Sequence, residues 1–305
     1  MIELKNISRS YDYTLAVDDL SLKISKGEIV GFLGPNGAGK STTMKIISGF
    51  IFPDEGSVLI DGKDIKENLV DIKAKIGYMP ENNPLYKEML VKEAIQYALD
   101  LHQIPKERRK ERIDYVVKAT GIENVYYRPI SELSKGYKQR VGLAQVLAHD
   151  PEILILDEPT EGLDPNQRAE VRDLIKKFGK DRTVIISTHV MQEVEAMCNR
   201  IVIINKGKVI ADGNKDEILK AKGGNTVLDL KIKTGSKVVK KDFTDIKVDE
   251  VTIEKIDGMY EIQLVSNSGK LFENLTQLIK SRDWVIYELR ERSENLEDVF
   301  RELTK

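Results

Sequence analysis

The stretch "GPNGAGKST", residues Gly34, Pro35, Asn36, Gly37, Ala38, Gly39, Lys40, Ser41 and Thr42, follows the apolar run "EIVGFL" and opens a helical pattern. A glycine, four residues and then Gly-Lys-Ser is a spacing that curls the backbone until several N–H groups face one anion. The helix behind it adds the positive end of its dipole. Lys40 supplies a compact cation for the outer phosphates, and the Ser41 hydroxyl suits Mg²⁺. The plain alternative is a glycine-rich turn with a surface lysine. Average residue usage puts a chance match at roughly one in a hundred, and the strand and helix flanks weigh further against it. The run is therefore expected to cradle a phosphate.

A metal and a base would complete such chemistry, and "ILILDEP" offers both. A fully apolar strand ending in two acids places Asp157 and Glu158 at the carboxyl edge of a sheet, where parallel α/β sheets bind ligands. Asp157 can hold Mg²⁺, directly or through a water, while Glu158 orients and deprotonates an attacking water. Taken alone, Asp-Glu after a strand is more often a cap or a turn; the cradle in the same sheet inverts that preference. His189 ends "TVIISTH", so it emerges from a third strand at the same edge and is expected to contact the terminal phosphate. His102 and His149 lie in helical segments with no comparable placement.

"LSKGYKQR", residues 133–140, poses a different problem. Ser134 is placed to cap a helix starting near Lys135, with Val141, Ala144 and Leu147 on one face. An ordinary N-cap explains the serine. The same geometry also leaves N–H groups, a hydroxyl and a dipole end open to an anion. Because one chain seldom needs two terminal-phosphate sites, the second would serve a neighbouring chain's nucleotide.

The elements that must carry these residues are legible around them. Short strands "MIELKNIS", "DDLSLKIS" and "EIVGFLG" come first, then "GSVLIDG". Helical spacing dominates from about residue 91 to 150. "EILILD" and "TVIIST" flank the helix "PNQRAEVRDLIKKFG" in a βαβ unit, which implies parallel pairing. "RIVIINKGKVIADG" reads as a hairpin turning at Lys206-Gly207. Composition shifts at "KAKGGNT". Beyond it, "VLDLKIK", "VDEVTIEKI", "YEIQLVS" and "WVIYELR" are strands, and "KLFENLTQLIK" and "ENLEDVFRELTK" are helices, so a small α+β domain is expected over 223–305.

Whole-chain composition narrows the partners. Lys+Arg number 48 against 50 Asp+Glu, a net charge of −2, so no basic footprint for nucleic acid is expected. A single cysteine, Cys198, excludes an internal disulfide framework and suits a reducing compartment. The start "MIELKNISRSYDY" carries no apolar leader, and no run of about 18 apolar residues occurs, so a soluble, cytoplasmic chain without its own membrane span is expected.

In motif order, residues 1–222 resemble the nucleotide-binding subunits of ATP-binding-cassette (ABC) transporters. Residues 34–42 match Walker A, 153–158 match Walker B with its catalytic glutamate, "EGLDP" (161–165) matches the D-loop, and His189 matches the switch histidine. "LSKGYKQR" stands where that family has LSGGQ, with Lys135 and Tyr137 in place of glycine and glutamine. Glu81, in "IGYMPENNPLY", stands where the family usually has a glutamine that meets the Mg²⁺ water. The resemblance implies an α/β P-loop cassette: a parallel-sheet core with an antiparallel β subdomain and a helical subdomain at about 83–150. It implies further that Tyr11, with Tyr13 a near rival, stacks on adenine, that Asp164 approaches ATP, and that Ser134 and Gly136 touch the γ-phosphate of a partner cassette's ATP in a homodimer. Glu158, His189 and Lys40 would be catalytic, with Ser41, Asp157 and Glu81 around Mg²⁺.

The variants resemble those of separate-chain ATPases in prokaryotic exporters of gliding-motility and multidrug type, as does the ending "LEDVFRELT". That implies an ATPase peripheral on the cytoplasmic membrane face, driving a separate integral-membrane permease. Two other functions compete. A soluble ABC ATPase of ribosomes, DNA repair or cluster assembly would usually carry a second cassette or a long coiled coil. A P-loop metabolite kinase would have no use for "LSKGYKQR". The C-terminal domain could set dimer contacts, regulate, or simply pack.

Overall fold

The computed structural model describes residues 1–221, 226–244, 246, 248–266, 271–282, 284–293 and 295–304. They form two compact units, Met1–Asn214 and Lys215–Leu303. The junction expected at 222/223 lies outside the described residues.

In the first unit, β1 (Ile2–Tyr11) and β2 (Thr14–Ile24) precede β3 (Ile29–Leu33) and helix α1 (Lys40–Ile47). Next come β4 (Glu55–Ile60), β5 (Lys63–Asp64), α2 (Leu69–Lys73) and β6 (Ile76–Met79). Three helices follow: α3 (Val91–Leu101), α4 (Lys106–Thr120) and α5 (Lys135–Leu147). Then β7 (Ile153–Asp157), α6 (Pro165–Phe178), β8 (Thr183–Thr188), α7 (Met191–Met197), β9 (Arg200–Asn205) and β10 (Lys208–Gly213) complete the unit.

The central sheet runs β10-β9-β3-β8-β7-β6. All of its pairings are parallel except the β9–β10 hairpin. Strands of this kind are buried on both faces and alternate between two cores. Ile153, Ile155 and Ile185 point to one core with Met44, Ile46 and Ile47 of α1. Leu154, Leu156, Val184 and Ile186 point to the other, where α3, α4 and α5 bring Ile95, Val116 and Val141. An antiparallel sheet of order β2-β1-β4-β5 lies on the α1 side. Because β7 and β8 flank one another and β3 pairs with β8, the loops after all three open at one carboxyl edge.

β1 and β2 run longer than the sequence pattern suggested, to Tyr11 and from Thr14. Asn6 and Asp19 adopt left-handed backbone at φ 47° and 50°, and the β1–β2 register shifts nearby. The bulges break the alternation without ending the strands, a job short polar side chains tolerate.

His102 ends α3 and His149 follows α5, and their rings stack in parallel at 3.6 Å. His149 Nε2 meets the Ile76 carbonyl at 3.1 Å, while burial, helped by His102 and Arg112, pushes its pKa down to about 4. The folded protein thus holds this imidazole neutral, whereas an unfolded histidine takes a proton near its ordinary 6.5. Its contribution to stability is complete above that value and is lost as pH falls toward the folded value. Thermal unfolding is expected to show a drop in Tm between pH 6.5 and 4 that is shallower in His149→Phe. Equal slopes in both proteins would exclude this role.

The second unit opens with α8 (Lys215–Ala221) and β11 (Thr226–Lys233). β12 (Glu250–Ile256), β13 (Met259–Ser266), α9 (Leu271–Lys280), β14 (Val285–Ser293) and α10 (Leu296–Leu303) follow. The strands pair antiparallel in the order β12-β13-β11-β14. Leu228, Leu230, Ile262 and Leu264 form one apolar face, which Leu271 and Leu275 of α9 cover. No described helix is long and apolar enough to cross a membrane.

Candidate active site

The cradle forms where β3 ends. Gly39, the residue before α1, has φ 103° and no side chain with which to cap the helix, so the first N–H groups of α1 face outward. Gly39 is also a point of close backbone approach. A Cβ there would lie 2.4 Å from the Ala16 carbonyl. The loop is braced by the hairpin turn, where Gly207 N–H donates to the Ala38 carbonyl at 2.9 Å.

Lys40 is 5% exposed, and its ammonium donates to the carbonyls of Gly34 at 2.8 Å and Pro35 at 3.2 Å. It stands 3.9 Å from Glu158 Oε1. Burial lowers the lysine's pKa, against the pull of Glu158, Asp157 and Glu81. Glu158 is 8% exposed, and burial raises its carboxyl above the usual range, against His189 and Lys40. Each group thus leans on the other for its charge.

Glu158 sits just past β7 in left-handed backbone at φ 46°, a strained conformation for a side-chain-bearing residue. Its amide donates to the Ser187 hydroxyl at 3.0 Å and the Ser187 carbonyl at 3.2 Å, which fixes the turn. The carboxylate meets His189 Nδ1 at 3.1 Å through both oxygens. The Ser41 hydroxyl donates to Asp157 Oδ1 at 3.0 Å, and Ser187 Oγ bonds the same oxygen. A hydroxyl and one carboxylate, with no denser cluster of metal-binding side chains among the described residues, fit Mg²⁺. That ion keeps waters and takes its remaining ligands from phosphates.

A cavity of about 370 Å³ is lined by Asn36 to Thr42, Glu81, Glu158 and His189, so the structure brings these expected residues together. Thr14, Ala16 and Glu161 join them. The sequence reading missed those three. Glu161 stood in a quoted motif without a role, and Thr14 and Ala16 come from the hairpin only because β2 passes the loop. Tyr11 is outside the lining, half-exposed beneath the Arg9 guanidinium at 5.3 Å, and Tyr13 is fully exposed beside it.

Ser134, Gly136 and Asp164 are outside the lining as well. Ser134 Oγ accepts the Tyr137 amide at 3.3 Å, making it the N-cap of α5. Asp164 likewise caps α6 through the Gln167 amide at 3.0 Å. The two helix starts touch: a Cβ at Gly136 would lie 2.5 Å from Gln167 Oε1. From the same helix, Gln139 donates to the Pro159 carbonyl at 2.6 Å, and Asn83 donates to the Lys138 carbonyl at 2.9 Å. Helix α5 is therefore tied both to the segment after Asp157 and to the segment after Glu81.

A phosphate loop between strand and helix, an acid pair on a neighbouring strand and a mostly parallel sheet define a P-loop nucleoside triphosphatase. Residues 17–161 match the ABC transporter family. Two relatives align over nearly the whole chain. The linearmycin resistance ATP-binding protein LnrL of Bacillus subtilis (strain 168) is 31% identical, over 100% of this chain and 98% of that one. The methionine import ATP-binding protein MetN 1 of Bacillus thuringiensis subsp. konkukian (strain 97-27) is 31% identical, over 90% and 88%. Among solved structures, the ATP-binding cassette MJ0796, dimeric in a post-hydrolysis state with ADP and Pi, superposes with a TM-score of 0.65. The identity there is 29%, over 70% of this chain and 98% of that one. The chain belongs to the ABC transporter family and is an ATPase subunit of it.

Proposed function

We propose that this chain is the ATP-hydrolysing motor of an exporter, working as a homodimer on a separate integral-membrane permease at the cytoplasmic face. The observation that carries the sandwich is the split of functional residues. The loop, Lys40, Glu158 and His189 share one cavity, while Ser134 and Gly136 stand outside it at the start of another helix. One chain holds one half of each of two sites, so two copies complete both. Export is supported by the Glu81, Lys135 and Tyr137 variants, which resemble those of separate-chain exporter ATPases.

In the closed pair the loop amides and Lys40 grip the phosphates, and the partner's Ser134 and Gly136 cover the γ end. Ser41 and Asp157 would hold Mg²⁺, which adds positive charge to the phosphates when bound. Glu158 takes the proton of the attacking water, and His189, already bonded to Glu158, orients that carboxylate. Charge that develops on the transferring group spreads onto Lys40 and the covering donors. Specific ATPase activity should therefore fall steeply on dilution, in step with loss of the dimer by light scattering. Undiminished activity from monomers would end this reading.

Adenine stacking belongs to the hairpin tip. Stacking on an aromatic ring is worth about 1–3 kcal/mol, so Tyr11→Ala should weaken ATP about tenfold in a fluorescent-nucleotide titration. If Tyr13→Ala weakens it and Tyr11→Ala does not, the contact belongs to Tyr13.

A further inference from the structure

We infer that Lys135 acts across the dimer as an added cation for the triphosphate held by the partner cassette, offsetting the surplus of carboxylates around it. The inference rests on the sandwich proposed above.

Three acids line or close the phosphate cavity, Glu81, Glu158 and Glu161, and Asp157 adjoins it. Lys40 is the lysine in that lining, and its ammonium is already shared with Glu158. A triphosphate entering this cavity meets repulsion that the loop amides, one shared lysine and the Mg²⁺ it brings must offset. Two of these acids, Glu81 and Glu161, lie on segments bonded to helix α5 or to its neighbour.

Lys135 is the first residue of that helix, beside the Ser134 cap, and it is exposed. It forms no hydrogen bond or ion pair among the described residues. Its ammonium instead rests over Gly162, where a Cβ would lie 2.0 Å from Nζ. Gly162 has φ 66° and no side chain, so the segment after Glu161 leaves a seat for an unneutralised cation. This charge stands at the same helix start as the Ser134 and Gly136 that would cover a partner's phosphates. A flexible lysine is the residue suited to reach a point charge in this way. The acid at Glu81 and the cation at Lys135 are then compensating departures from glutamine and glycine: one adds repulsion to the site, the other removes it from the facing chain.

The test uses the full chain with Glu158→Gln, in which bound ATP is expected to be consumed about 10²–10⁴ more slowly. Dimerisation induced by Mg-ATP is followed by analytical ultracentrifugation, and ATP affinity is measured separately at concentrations where the chain is monomeric. A charge-assisted contact to phosphate predicts that Lys135→Ala weakens ATP-induced dimerisation about 10–100-fold. Monomer affinity should be unchanged, Lys135→Arg should recover most of the loss, and the parent's dimerisation should weaken more with salt than that of the alanine variant. Dimerisation of Lys135→Ala equal to its parent overturns the role of Lys135 and leaves the sandwich standing. Failure of the parent itself to dimerise with Mg-ATP overturns both. Loss in Lys135→Ala with no recovery by arginine and no change in salt dependence assigns the residue to packing on Gly162 and overturns the cationic role.

Discussion

Glu158→Gln is expected to lower ATP turnover by about 10²–10⁴ while ATP affinity stays within a few-fold of the parent. The substitution keeps the shape of the side chain and removes its ability to take a proton. The backbone amide still reaches Ser187, so the left-handed turn that aims residue 158 is preserved. Lys40 keeps its contacts to the Gly34 and Pro35 carbonyls, so the cradle is intact. The rate loss is equivalent to about 3–5 kcal/mol of barrier, more than any other single contact in the cavity should supply. A stopped assay of phosphate release decides it, and normal turnover by the glutamine variant would falsify the base assignment.

The same variant carries a second signature. Burial raises the Glu158 pKa, so the folded state disfavours the ionised carboxylate. For an acid whose folded pKa is raised, the stability it contributes is present below its unfolded value and is lost as pH rises through the folded one. Near neutral pH the ionised group is therefore a cost to the fold, and Glu158→Gln should raise Tm while lowering rate. On the acid side, turnover of the parent should fall at a pH above the ordinary glutamate range, since the base is protonated early. A mutation that merely damaged the fold would lower rate and Tm together.

Much of this site was legible because its residues are anchored to strand ends. "EIVGFLG", "ILILDE" and "TVIISTH" each read as a buried strand, and parallel pairing brings such ends to one edge. That logic located Lys40, Glu158 and His189 in a single cavity, with Asp157 beside it on the Ser41 hydroxyl. Residues delivered by tertiary approach were harder to see. Thr14 and Ala16 reach the loop because β2 runs past it, through a hairpin whose bulges at Asn6 and Asp19 hide its period. Ser187 sits one place before the strand's last residue and looks like an ordinary buried position, yet it holds the turn at Glu158. The stacking of His102 on His149 depends on how α3 meets the end of α5, which no local pattern encodes. The seat of Lys135 on Gly162 is of the same kind: both residues lie in quoted motifs, and only the fold puts one upon the other.

Lys40→Ala is expected to weaken ATP binding about 100-fold, which is a second large effect with a different physical origin. In the free chain the ammonium is spent on two carbonyls of its own loop, at 2.8 and 3.2 Å, and on Glu158. Arrival of a triphosphate exchanges these for phosphate oxygens, and a charged hydrogen bond in a buried setting is worth about 1.5–3 kcal/mol. Removal also strands Glu158. Its carboxyl loses one of the cations that oppose burial, so its pKa should rise further and the acid limb of any residual activity should move to higher pH. Arginine should not rescue the loss. The site encloses residue 40 to 5% exposure, and a planar fork cannot occupy the place of a compact ammonium without displacing the loop. A titration with fluorescent nucleotide distinguishes the outcomes. ATP affinity equal to the parent in Lys40→Ala would show that the loop amides alone hold the phosphates, and tight binding by Lys40→Arg would show that charge matters there and fit does not.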